Sequence, residues 1–181
     1  MLEQIEMVAD ERGWHSRPPK LRMWKRAADL WFSAILLLLT APPMILVALF
    51  LKLAGAPVFE GIPYVGADGR MFRCWHFYSE TPFAIIDHTG LGALPHLFNV
   101  LNGTMSLVGP QPLSERQMRN RPNVERDAYF ACRPGLTGLW QVEGRRGVRN
   151  GPRLDRSYVT ECSPKLDLII VAKTLIGITR D

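Results

Sequence analysis

At 181 residues, 47% of them hydrophobic, the chain is long enough for one domain with a real core. A net charge of +5 and a sequence pI near 9.4 point to an anionic partner such as membrane lipid, a nucleotide or phosphate. Three widely spaced cysteines, Cys74, Cys132 and Cys162, match no metal-ligand spacing and build no disulfide framework, which fits a reducing compartment.

Residues 1–24 read as a polar arm that ends in a basic crowd, Arg17, Lys20 and Arg22, continued by Lys25 and Arg26. Trp24 suits an interfacial anchor. The next unit, residues 25–53, holds the one long uncharged apolar run, Leu30–Leu51. Crossing a bilayer takes about 20 apolar residues. The run starts too late, is too long and lacks the small-residue exit of a cleaved signal peptide. Pro42 and Pro43 stand at its centre. An interior proline costs a helix roughly 3 kcal/mol through the lost hydrogen bond and the ring clash. Ala41 and Pro42, each preceding a proline, are also biased toward extended backbone.

The expectation is therefore a re-entrant helix that breaks at Thr40–Pro43, with Ala41, Pro42 and Pro43 making the break, and returns to the face it entered. Asp29 would mark the water boundary and pair with Lys25 or Arg26. Dense basic residues before the run are expected to put the N-terminus in the cytoplasm, and the proline break to return the C-terminal part there as well.

Residues 54–181 read as a cytoplasmic domain, mostly α with a small β-hairpin, an α/β class overall. The hairpin is expected over residues 57–78, with Asp68-Gly69 as its tight turn. A helix over Leu94–Leu101 starts near Pro95 and stops at Asn102-Gly103. Ser106–Pro112 and Arg133–Gly138 read as loops, and Ser114–Asn120 as a short polar helix. Asp155–Glu161 and Leu166–Ile178 close the chain as helices.

Several segments in order resemble one family. They are Lys25-Arg26 and Asp29 at the head of the apolar run, then Pro57-Val58-Phe59, Val65-Gly66 and Phe72-Arg73. Leu94-Pro95, the stretch Leu97–Gly103 and Met105–Pro110 follow. Arg133–Val142 with Gly144-Arg145, Leu154-Asp155, Tyr158-Val159 and Leu166–Leu168 complete the set. Together they resemble the bacterial sugar transferases, small monotopic phosphoglycosyl transferases of bacterial membranes. The resemblance implies transfer of sugar-1-phosphate from a UDP-sugar to polyprenol phosphate. It further implies an adjacent Asp-Glu pair, the Asp attacking phosphorus, and a magnesium ion that offsets the diphosphate charge.

At that pair the sequence departs from the pattern: Gly92 and Ala93 occupy the two positions. Neither offers a nucleophile or a hard oxygen ligand for magnesium. Gln111 replaces the arginine of the family's Gly-Pro-Arg-Pro loop, so a bidentate phosphate clamp becomes a neutral amide. The stretch His76–Glu80 loses two of the family's cations. The expectation is a fold kept and catalysis lost, with no magnesium bound. Residual substrate contact is assigned to Arg133, Thr137, Gln141, Arg145 and Gln111.

Asp87 beside His88 is weighed as a displaced nucleophile and ranked low, because adjacent side chains diverge. His96 reads as a satisfied helix side chain. Arginine density in the C-terminal half raises nucleic acid as a partner, but no nucleic-acid fold or aromatic interleaving supports it. The leading expectation is a pseudoenzyme at the inner membrane that partners an active transferase, as a homodimer or as a heterodimer with an intact homologue. The alternatives are an active transferase with a displaced nucleophile, and a non-catalytic binder of UDP-sugar or polyprenol phosphate.

Overall fold

A computed structural model describes residues 19–67, 69–80, 83–84, 86, 91–144 and 151–178. Its first element is helix α1, Pro19–Leu53, which carries Pro42 and Pro43 inside it. Helix therefore starts six residues before Lys25, with proline at its first position, where the missing N–H costs nothing.

The expected break at Thr40–Pro43 does not interrupt α1. The prolines deprive the Leu38 and Leu39 carbonyls of their usual donors. Packing on both sides of that gap compensates. Lys25, Asp29 and Ser33 are buried ahead of it, and Met44 and Leu51 beyond it. These positions recur at helical spacing, so one stripe of α1 faces the domain along its length. Thr40 Oγ1 also donates to the Leu36 carbonyl at 2.7 Å. Burial of Met44 and Leu51, each worth about 1.5–3 kcal/mol, together with the partly buried Leu36, Leu37 and Val47, offsets the local proline cost.

The other face of α1 is bare. Trp31, Leu38, Leu39, Ile45, Leu46 and Leu53 are all exposed. Among the described residues this is the one helix long and apolar enough to cross a membrane, by length and composition.

Strands β1 (Phe59–Val65) and β2 (Met71–Phe77) form the expected antiparallel hairpin. Its turn is closed by Gly66 N–H donating to the Arg70 carbonyl at 2.8 Å. Gly69 takes a positive φ of 76°, the conformation that makes glycine the residue of choice there. A single 3-10 turn, Leu91–Ala93, leads into helix α2, His96–Asn102. Gly103 ends α2 in the left-handed conformation at φ 89°, as the Asn-Gly signal predicts.

Two loops of the sequence reading contain strands instead. β3 (Ser106–Val108) and β4 (Gly135–Thr137) pair in parallel, Ser106 opposite Gly135 and Val108 opposite Thr137. Three residues are too few to show a period of two, and the partner lies far away in sequence. Helix α3 (Glu115–Arg119) forms as expected, with Ser114 and Gln117 making a reciprocal capping box. Helices α4 (Asn123–Phe130) and α5 (Leu139–Gly144) have no counterpart in the sequence reading. Helices α6 (Gly151–Glu161) and α7 (Pro164–Ile178) complete the chain.

The main core joins Cys74 of β2, Leu97 and Val100 of α2, Leu107 and Val108 of β3, Tyr158 of α6 and Ile170 of α7. A second cluster packs Met44 and Leu51 of α1 on Phe77 and Ile86, with Leu91 and Leu94 against them. The residues around α2 are thus held between the hairpin and α1.

Candidate functional site

Gly92 lies buried in the 3-10 turn, and Ala93 follows it half-buried. Pro95 caps α2 with no side-chain hydrogen bond. At the next residue, His96 Nε2 meets His76 Nε2 of β2 at 2.6 Å, with the rings edge-to-face. A contact of that length needs one nitrogen to donate and the other to accept. Burial first, and then the neighbouring His76, pushes His96 down to about 3. An unfolded histidine titrates near about 6.5. Between those values the unfolded chain takes a proton that the folded chain refuses. Stability therefore falls as pH drops through about 6.5 toward 3. His96→Gln is expected to lose less melting temperature than the wild type between pH 7 and pH 5. Equal losses would show that His96 is not the titrating group.

The opposite end of α2 is gripped by α1. Arg26 donates from Nη1 to the Val100 carbonyl at 2.6 Å and from Nη2 to the Leu101 carbonyl at 2.7 Å. A cation there suits the negative end of a helix. Arg133 is brought to the same place. A methyl group built on Gly103 would stand 3.3 Å from Arg26 Nη2 and 3.7 Å from Arg133 Nη1.

Asp29 does not mark a water boundary. It is buried, accepting from Ser106 Oγ at 2.7 Å and from the Leu107 N–H at 3.1 Å. Lys25 pairs instead with Asp167 of α7 at 2.7 Å. Tyr158 joins this cluster, donating to the Val108 carbonyl at 3.0 Å and lying 2.7 Å from Asp167 Oδ1. Beside it opens a groove of about 190 Å³ between α1 and α7, lined by Trp24, Phe32, Leu107, Cys162, Pro164 and Leu168.

The glycines of the Gly109–Gly138 region let two backbones touch. A Cβ on Gly109 would strike the Arg133 carbonyl and would lie 2.8 Å from the Gly135 nitrogen. Gln111, expected to face substrate, uses its backbone N–H to bind Asp155 Oδ1 at 3.0 Å. Asp155 is also held by Arg121 at 2.8 Å, with both side chains nearly excluded from solvent. Thr137 spends its hydroxyl on Thr174 of α7 at 2.6 Å. Gln141 Oε1 and Trp140 Nε1 are buried with no hydrogen-bond partner. Among the described candidate binding residues, Gln141 is therefore the one with a buried polar atom left for a ligand. Arg145, Asp87 and His88 lie outside the described residues.

The structure does not gather the candidates around Gly92. Arg133 stands at the far end of α2, while Gln111 and Thr137 are tied to α6 and α7. Sequence reasoning missed the Arg121–Asp155 and Lys25–Asp167 pairs, because neither partner's neighbours in sequence announce the other. Residues 92 and 93 themselves present no side-chain oxygen, so a magnesium ion would find no hard ligand on them.

Comparison with known proteins decides the family. The profile described as bacterial sugar transferase matches residues 20–181. The chain belongs to the bacterial sugar transferase family. It is 31% identical to the exopolysaccharide production protein ExoY of Rhizobium meliloti over 191 residues, 84% of this chain and 84% of that protein. It is 32% identical to an undecaprenyl-phosphate galactose phosphotransferase of Salmonella typhimurium, over 84% of this chain and 40% of that one. A UDP-galactose-lipid carrier transferase of Erwinia amylovora is 34% identical over 85% of this chain and 40% of its own length. The chain thus spans most of ExoY but well under half of the longer relatives. Across this sugar transferase family the relatives carry names of sugar phosphate transfer to lipid carriers and of exopolysaccharide production.

Proposed function

We propose that this sugar transferase is a catalytically silent member that works at the cytoplasmic face of the inner membrane as the partner of an active transferase in polysaccharide assembly. The observation that carries the reading is Gly92-Ala93, a buried glycine and an alanine at the positions where the family resemblance places its Asp-Glu pair. Nucleophilic catalysis at those positions has no attacking atom. Among the described residues the buried carboxylates are spoken for: Asp29 by Ser106 and Leu107, and Asp155 by Arg121 and Gln111.

The anchor supports the membrane half of the proposal. Lys25 to Leu51, if straight, would measure about 39 Å at 1.5 Å per residue, more than a hydrocarbon core of about 30 Å. Yet one domain covers buried residues at both ends of that stretch, and the bare face carries Trp31, Leu38, Leu39, Ile45 and Leu46. A monotopic helix that enters and leaves one leaflet fits this better than a span with its far end across the membrane. Co-purification from detergent with a neighbouring homologue that keeps the Asp-Glu pair tests the partnership. The expected result is a stoichiometric complex; a chain that never retains such a homologue contradicts it.

The relatives' names favour a second reading, an active transferase that moves sugar-1-phosphate from a UDP-sugar to polyprenol phosphate through a displaced nucleophile. That reading requires a covalent phosphosugar adduct on the chain, visible by intact mass and abolished by Asp87→Asn. Binding of UDP-sugar without turnover would appear as a concentration-dependent rise in melting temperature.

A further inference from the structure

The histidine pair described above has no part in the proposed function. His76 lies near the end of β2, and His96 is the first residue of α2. In sequence they bracket the 3-10 turn that carries Gly92 and Ala93. Asn99, buried one turn further along α2, fastens the two elements together. Its Oδ1 accepts from the Trp75 N–H at 2.9 Å, and its Nδ2 donates to the Arg73 carbonyl at 2.7 Å. The start of α2 is thereby held on β2, and the two half-buried imidazoles are set opposite one another.

We propose that His76 and His96 hold a zinc-class divalent metal ion through their Nε2 atoms, with water completing its shell. Those atoms stand 2.6 Å apart, the ring centres 4.1 Å apart, and the ring planes cross at 89°. Two rings pointing straight at each other across that gap would have their centres further apart. The nitrogen axes are therefore bent off the line that joins them, which is poor geometry for a linear N–H···N bond. One ion set off that line meets both lone pairs.

Zinc–nitrogen bonds measure about 2.0–2.1 Å, which sets two ligands of a tetrahedral ion about 3.3 Å apart. The two nitrogens must part by roughly 0.7 Å, a shift that small side-chain rotations supply within one rotamer. Among the described residues no third His, Cys, Asp or Glu joins the pair, so solvent takes the remaining positions. Glu60 stands opposite His76 in the strand register and shares its face, adding negative charge that favours a cation. Imidazole nitrogen suits zinc, nickel and copper, whereas magnesium takes oxygen ligands. On loading, the Nε2 proton of the donor ring passes through solvent to its Nδ1, so both imidazoles stay neutral. The bound ion ties β2 to α2 and fixes the turn between them.

The test uses the full chain in detergent, freed of any histidine tag and stripped with EDTA, with zinc chloride as the probe. Metal analysis after dialysis is expected to find one zinc per chain. At a hundredfold excess over the dissociation constant, the melting temperature rises by about 5 °C or more. Magnesium chloride at the same concentration gives no rise. His96→Gln keeps a polar side chain but removes the ligand nitrogen, and it loses both the uptake and the rise. Zinc K-edge absorption of the loaded wild type shows two imidazoles with oxygen, a readout that stands even if the variant fails to fold. No uptake, uptake unchanged in His96→Gln, an equal rise with magnesium, or sulfur in the zinc shell overturns the proposal.

Discussion

Gly135→Ala is expected to abolish the folded state. A Cβ at this position would collide with the Gly109 nitrogen and the Thr137 carbonyl oxygen, and would lie 2.7 Å from Gly109 Cα. All three obstacles are backbone, so no rotamer change relieves them. Overpacking a core ordinarily costs about 1–3 kcal/mol because side chains can shift. Here the β3–β4 pair itself must part, and the cost exceeds that range. Gly61→Ala is the contrast, since its new methyl would meet the Arg73 side chain, 3.1 Å from Cδ, which can swing away. Thermal melts of the two purified variants separate the cases: Gly61→Ala unfolds cooperatively near the wild type, while Gly135→Ala gives no cooperative transition.

Asp155→Ala carries the second large effect. Asp155 is 2% exposed and Arg121 is 9% exposed, so removing the carboxylate strands a guanidinium in the interior. It also leaves the Gln111 N–H without its acceptor. Breaking a buried ion pair from one side costs about 3–5 kcal/mol, most of it the penalty on the orphaned partner. Removing both charges together, as in Arg121→Met with Asp155→Leu, is expected to recover most of that loss. Denaturant titrations in detergent measure both. A double variant as unstable as Asp155→Ala would show that the pair itself, rather than the stranded charge, supplies the stability.

The two variants mark where the sequence was legible and where it was not. Local signals came through. Gly69 announced a turn between two apolar pieces, with Asp68 outside the described residues, Asn102-Gly103 stopped α2, and Ser114 with Gln117 capped α3. Each depends on residues within a few positions of one another. The parallel β3–β4 pair was invisible, because three-residue strands carry no period and their partners are about thirty residues apart.

The prolines show the opposite error. Their local cost was read correctly, yet the stripe from Lys25 to Leu51 packs on the domain on both sides of them, and α1 continues. Tertiary burial overrode local propensity there.

The candidate site was legible in part, and for a related reason. The chemical identity of Gly92 and Ala93 is written in the sequence, and the structure adds that Gly92 is buried in a turn. The Gln111 backbone N–H and the Thr137 hydroxyl are engaged by Asp155 and Thr174 from distant helices, contacts that no local pattern announces. Asp29 carried a motif signal, but its partners Ser106 and Leu107 lie 77 and 78 residues away. In this chain Asp29, Asp155 and Thr137 serve as fasteners. They join α1, the β3–β4 pair and the closing helices into a frame whose nucleophile position is empty of reactive atoms.

The most direct measurement is phosphosugar transfer by the purified chain alone, supplied with UDP-sugars, polyprenol phosphate and magnesium. A silent partner predicts no lipid-linked phosphosugar above the protein-free control and no covalent adduct by intact mass. Lipid-linked product, or an adduct that forms with UDP-sugar and disappears on adding polyprenol phosphate, would contradict it.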